Sequence, residues 1–122
     1  MTILATQRGA SPSPLDLIAA AEALGPKLRA RAAETEARRS LPRETIDDLF
    51  AAGLMRYFVP RRLGGYEMDW GVQIQIGRTL ARYCASTSWI ACVVGSHSAY
   101  VARMSPQAQD DVWKDSIDVV IS

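Results

Sequence analysis

An all-α protein, an orthogonal bundle of about five to six helices, is what this sequence implies. Three observations carry that expectation. Apolar residues recur at helical intervals over most of the chain, and Ser13-Pro14, Leu41-Pro42 and Ser105-Pro106 place a proline where a helix would start. Residues 83–102 then run for 20 positions without one Lys, Arg, Asp or Glu. Wound as a helix, this run puts Trp89, Val93, His97, Tyr100 and Met104 on one face, while Ile90, Ala91, Val94 and Val101 make the other faces apolar too. Such a helix is expected to be enclosed, as the central member of a core.

Taken in order, residues 1–13 mix Thr, Gln, Gly, Ser and Pro without periodicity and predict a flexible tail. A helix opens near Pro14 with Leu15, Ile18, Ala19, Leu24 and Leu28 apolar, and Gly25-Pro26 predicts a kink or break in it. Residues 27–39 alternate charge sign, the pattern of a solvated face. Pro42 suits the first turn of the next helix, which carries Ile46, Leu49 and Phe50 inward and Asp47 and Asp48 outward. Gly53 ends it at a position that tolerates positive φ. Residues 54–60 are expected to cross the core extended, and Gly64-Gly65 to turn the chain.

Asp69 is a cap for a third helix with Val72, Ile76, Leu80 and Tyr83 inward. Ser86, Thr87 and Ser88 offer capping hydroxyls for the uncharged helix, which runs to about Met104. Ser105-Pro106 starts a short helix through Trp113. The helical domain thus spans 14–116, and residues 117–122, with Val119-Val120-Ile121, predict a first strand or a linker toward a β-domain that is absent.

Composition narrows the function. Residues 1–62 hold ten Lys or Arg against seven Asp or Glu, and residues 63–122 four against six, so no nucleic-acid footprint is present. The uncharged run carries Ser86, Thr87, Ser88, Gly95, Ser96, His97 and Ser98, too many polar groups for lipid, so no membrane span is expected. Cys84 and Cys92, with a single histidine in the chain, lack metal-ligand spacing and predict reduced thiols in a cytoplasmic protein. Gly64-Gly65 lacks the spacing of a phosphate-cradling loop.

The series Leu41-Pro42, Leu49, Ala52-Gly53-Leu54, Pro60, Gly64-Gly65, Leu80-Ala81-Arg82, Ser86-Thr87-Ser88-Trp89, Gly95-Ser96-His97, and Gln109 with Val112-Trp113 resembles the N-terminal α-helical domain of the acyl-CoA dehydrogenase superfamily. Dehydrogenases proper usually place an acidic residue just before the serine that precedes the central helix, where this chain has Tyr83-Cys84-Ala85. The Ser-Thr-Ser-Trp run and the histidine eight residues after Trp89 are more similar to the oxygenase components of two-component flavin-dependent aromatic monooxygenases. Many of those follow the histidine with a Pro-aromatic pair. Here Ser98-Ala99-Tyr100 stands instead, which leaves the aromatic substrate unassigned.

The resemblance implies a subunit completed by a middle β-domain and a C-terminal four-helix bundle that also forms a homotetramer. It implies reduced flavin, FADH2 or FMNH2, delivered by a separate flavin reductase, and hydroxylation of a small aromatic or polycyclic substrate through a C4a-hydroperoxyflavin. No tight flavin binding is expected of this chain alone, and the isolated chain is expected to be inactive. An FAD-dependent acyl-CoA dehydrogenase and a non-catalytic helical interaction module are the alternatives.

By the resemblance, His97 is the residue carried over as catalytic, facing the flavin cleft. Hydroxylation of a phenol needs a dry cavity and a proton acceptor for the ring oxygen, which an imidazole can be near neutral pH. Trp89, Val93, Ser96 and Tyr100 are the candidate walls of the substrate and flavin pocket. A hydrogen-bonded structural histidine among ordinary core neighbours is the competing reading.

Overall fold

The computed structural model describes residues 10–122, and residues 1–9 of the expected tail lie outside the described residues. Five α-helices follow in order: α1 (Pro14–Arg38), α2 (Arg43–Ala51), α3 (Gly71–Ala81), α4 (Ala85–Val101) and α5 (Pro106–Trp113), with one 3₁₀ turn at Arg61–Leu63. The all-α expectation therefore holds.

Helix α1 begins at a capping box. Asp16 N–H donates to Ser13 Oγ at 3.2 Å and Ser13 N–H donates to Asp16 Oδ2 at 2.7 Å, with Pro14 at the first helical position. The expected break at Gly25-Pro26 does not occur. The helix runs through Pro26 for 25 residues, because Gly25 is a point of close packing. A Cβ there would stand 2.3 Å from the Tyr83 ring. That ring is held by its hydroxyl, which donates to Glu22 Oε2 at 2.7 Å, and by the Arg29 guanidinium 4.9 Å from its centroid. Leu15, expected inward, is exposed, and Leu17, Ala21 and Leu28 form the buried stripe instead.

On α2, Leu49 is buried as expected and Gly53 follows with φ +73°. Asp48 is half-buried instead of facing out. Arg31 of α1 donates to it at 2.8 Å, a partly screened link worth about 0.2–1 kcal/mol. Residues 54–60 are buried as anticipated but turn instead of running extended, since Arg56, Tyr57 and Val59 accept backbone bonds from Tyr66, Met68 and Glu67. The folded-back strip brings Gly65 against Val59, where a Cβ would lie 2.1 Å from the Val59 carbonyl oxygen.

Two cap assignments change. Helix α3 begins after Trp70 with no side-chain cap, so Asp69 contributes only its backbone carbonyl, to Val72 N–H. Helix α4 begins after Cys84, also without a side-chain cap, and the three hydroxyl residues lie inside its first turn. There they serve tertiary contacts. Ser88 Oγ donates to the Gly77 carbonyl of α3 at 2.7 Å, and Ser86 Oγ donates to Glu36 Oε1 of α1 at 3.1 Å. Helices α3 and α4 pack closely where Gly77 meets Cys92 Sγ.

The C-terminal end of α4 is closed by α5. Gln109 Nε2 donates to the carbonyls of Ala102 and Met104, both at 3.0 Å, and Arg62 donates to Gln109 Oε1 at 2.8 Å. Residues 117–122 form no strand, because no other strand exists among the described residues for them to pair with. Their alternation is spent on packing. Ile117, Val119 and Ile121 lie against a second small core of Val59, Val101 and Trp113.

Candidate functional site

The uncharged helix is not enclosed on every side. One side of α4 packs on α1 and α3 through Thr87, Ala91, Val94 and Ser98, all buried. The other side leaves Trp89 70 %, Ile90 40 % and Tyr100 58 % exposed, with Met104, just past the helix end, 52 % exposed. An apolar wall about 16 Å long results, at 1.5 Å per residue from Trp89 to Tyr100.

His97 sits on the flank of this wall, half-buried. Its Nδ1 lies 2.7 Å from the carbonyl oxygen of Ile121. A carbonyl oxygen only accepts, so Nδ1 carries the proton, and in the neutral ring Nε2 carries the lone pair. The segment that bears Ile121 is tied down by Asp118, which receives Arg56 Nε at 2.6 Å and Arg56 Nη2 in a bidentate pair. Those hydrogen bonds hold the Arg56 guanidinium charged more firmly than usual, against the opposing effect of burial.

The other expected wall residues divide. Val93 and Ser96 are half-buried, and Ser96 Oγ donates to the Val93 carbonyl at 2.8 Å, leaving its oxygen only an acceptor role. Trp89 belongs to a different hollow. With Leu41, Ile46, Ile90 and the Glu36–Ser86 pair, it lines a cleft of about 840 Å³ between α4 and the ends of α1 and α2. His97, Val93, Ser96 and Tyr100 do not line that cleft. The residues expected to enclose one pocket are therefore divided between this cleft and the open flank of α4, with His97 about two turns further along the helix than Trp89.

Cys84 and Cys92 are both free thiols, Cys84 buried and Cys92 half-buried, and burial pushes the Cys92 thiol above its ordinary value. Among the described residues no group of three potential metal ligands occurs, and no helix is long and apolar enough to cross a membrane.

Sequence reasoning missed the Ile121 carbonyl as the partner of the histidine, and the Arg56–Asp118 pair that ties down the segment bearing it. The alternation at 117–121 signals that the segment docks on something. Nothing in the local pattern says that a main-chain oxygen of that segment meets the imidazole.

A planar apolar ring system suits the wall of Trp89, Val93, Tyr100 and Met104, which carries no charge. The dimethylbenzene end of a flavin's isoalloxazine is such a surface, whereas its pyrimidine end, with two carbonyls and an N–H, is not. The fit is to one side only, because this wall is open opposite α4.

Residues 17–116 match the family described as acyl-CoA dehydrogenase, N-terminal domain. The chain is 40 % identical over 101 residues to the oxygenase subunit HsaA of a flavin-dependent monooxygenase from Rhodococcus jostii, covering 83 % of this chain and 26 % of that protein. It is 35 % identical over 97 residues to the oxygenase component of p-hydroxyphenylacetate 3-hydroxylase from Acinetobacter baumannii, covering 80 % and 23 %. The solved structure of the HsaA monooxygenase from M. tuberculosis superposes with a TM-score of 0.85 at 32 % identity, over 88 % of this chain and 30 % of that one. The chain thus spans about a quarter of the length of the curated relatives it matches.

Proposed function

The chain belongs to the acyl-CoA dehydrogenase N-terminal domain family, and from that premise we propose that it is the N-terminal helical domain of a flavin-dependent monooxygenase hydroxylating an aromatic or polycyclic compound. Kinship with oxygenase subunits of such enzymes carries the reading. The partners it entails are reduced flavin (FADH2 or FMNH2), a separate flavin reductase, further domains that complete the subunit, and a homotetramer in the cytoplasm.

In this reading the bound flavin would supply the reactive oxygen, and the chain supplies one side of the chamber. The faces of Trp89, Val93, Tyr100 and Met104 exclude water once the missing side is in place, which strengthens every electrostatic contact inside. His97 Nε2 accepts the proton of the substrate hydroxyl. Loss of that proton enriches the neighbouring ring carbons in electron density and prepares them for an electrophilic oxygen. Ser96 Oγ is an acceptor for a second substrate hydroxyl.

The test is an assay of the natural polypeptide that carries this chain, given chemically reduced FAD or FMN, O₂ and a panel of phenols. Incorporation of one atom of labelled oxygen into an aromatic product is expected. Reduction of the oxidised flavin by an acyl thioester, with no oxygen incorporated, would assign the chain to a dehydrogenase instead.

A further inference from the structure

We propose that residues 117–122 are a clamp that fixes the tautomer of His97, and that Arg56 and Asp118 are the positioning residues of that clamp. The inference deepens the monooxygenase reading and rests on it for its catalytic meaning, but the clamp itself is a property of this chain.

The neutral side chain of a histidine exposed to water favours the proton on Nε2. At His97 the Ile121 carbonyl, 2.7 Å from Nδ1, reverses that preference, because only the Nδ1–H form satisfies the contact. The consequence is a lone pair on Nε2. A base for a phenol needs that lone pair, and the opposite tautomer would present a donor in its place.

A main-chain carbonyl in a segment outside any helix does not hold still by itself. Two features hold this one. Ile117, Val119 and Ile121 pack on Val59, Val101 and Trp113. Three residues before Ile121, Asp118 receives the Arg56 fork, and both side chains of that pair are only about a third exposed, shielded enough to keep one geometry. Arg56 itself stands in the buried strip between α2 and the 3₁₀ turn, a rigid base for the pair. Neither residue touches the wall of α4. Their influence on the histidine runs through the backbone between Asp118 and Ile121.

His97 is the only histidine in the chain, so its ring nitrogens can be observed without ambiguity. The experiment is ¹⁵N–¹H correlation of the ring in the uniformly labelled 122-residue protein, at a pH where the ring is neutral. In the parent protein Nδ1 is expected in the protonated, pyrrole-like range and Nε2 in the pyridine-like range. Arg56→Gln and Asp118→Asn are expected to move the averaged shifts toward the Nε2–H form, and Asp118→Glu to restore them in part. Truncation after Asp118 removes the carbonyl outright, leaves every helix whole and is expected to give the largest change.

A parent ring already in the Nε2–H form would overturn the proposal, as would shifts unmoved in the truncated chain with its helical signal intact. The monooxygenase reading fails on different evidence, namely absence of aromatic hydroxylation by the natural polypeptide while the tautomer signal stands.

Discussion

The hydroxyl of Tyr57 occupies the space that a side chain at Gly95 would fill: a Cβ built there stands 2.1 Å from Tyr57 Oη. The ring is 1 % exposed, and its hydroxyl donates to Gln73 Oε1 at 3.2 Å, so the loop before the 3₁₀ turn, α3 and α4 meet at one point.

Gly95→Ala is therefore expected to destabilise the protein. Alanine in mid-helix would gain about 1 kcal/mol from propensity. Overpacking against a ring with no room to retreat costs about 1–3 kcal/mol and wins. Urea denaturation should show a lower midpoint, and Gly95→Ala combined with Tyr57→Leu should recover part of the loss.

Gln109→Ala should cost about 1–3 kcal/mol, because it strands the Ala102 and Met104 carbonyls and removes the acceptor of Arg62 together. Gln109→Glu keeps the acceptor but lacks the donors and should fall between. Thermal unfolding of the two variants beside the parent checks the order.

Stability should decline in alkali. Burial raises the Cys92 thiol above 9.0 and the Tyr57 phenol above 10.0, so the folded protein keeps protons that the unfolded chain releases. With more protons on the native state, unfolding free energy falls as pH rises from the unfolded value of each group toward its folded one. The decline begins near pH 9 for the thiol and near pH 10 for the phenol. Denaturant midpoints between pH 7 and 11 should fall for the parent and fall less for Cys92→Ala.

The isolated chain should bind flavin weakly. Its apolar wall is open, so a hydrophobic dye such as ANS should bind, and Trp89→Ser should reduce the signal. Titration with oxidised and reduced FAD and FMN should give no saturation at micromolar flavin; micromolar affinity would contradict the one-sided site.

In the natural polypeptide, His97→Ala should lower aromatic hydroxylation by about 10²–10⁴-fold, the usual worth of a positioned proton acceptor. Flavin binding should change little. The check is product formed per reduced flavin consumed, measured with the helical content of the variant.

What was legible in the sequence was what depends on neighbours along the chain. Serine followed by proline marked the starts near Pro14 and Pro106, Pro42 proved to be the cap position of α2 and not its first turn, and the helical spacing of Val72, Ile76 and Leu80 marked an inward face. The order of the Ser-Thr-Ser-Trp and Gly-Ser-His runs pointed to the family. Tertiary structure alone decided the rest. Gly25-Pro26 looked like a break because local chemistry weakens a helix there, but packing against Tyr83 came from far along the chain. Ser86 and Ser88 looked like caps, and partners on α1 and α3 claimed their hydroxyls. Which side of α4 is covered, and which nitrogen of His97 holds the proton, were set by α3 and by residues 117–122. Periodicity reports that a face is apolar; what meets that face depends on contacts between segments distant in sequence, and a backbone carbonyl leaves no mark in the residue alphabet.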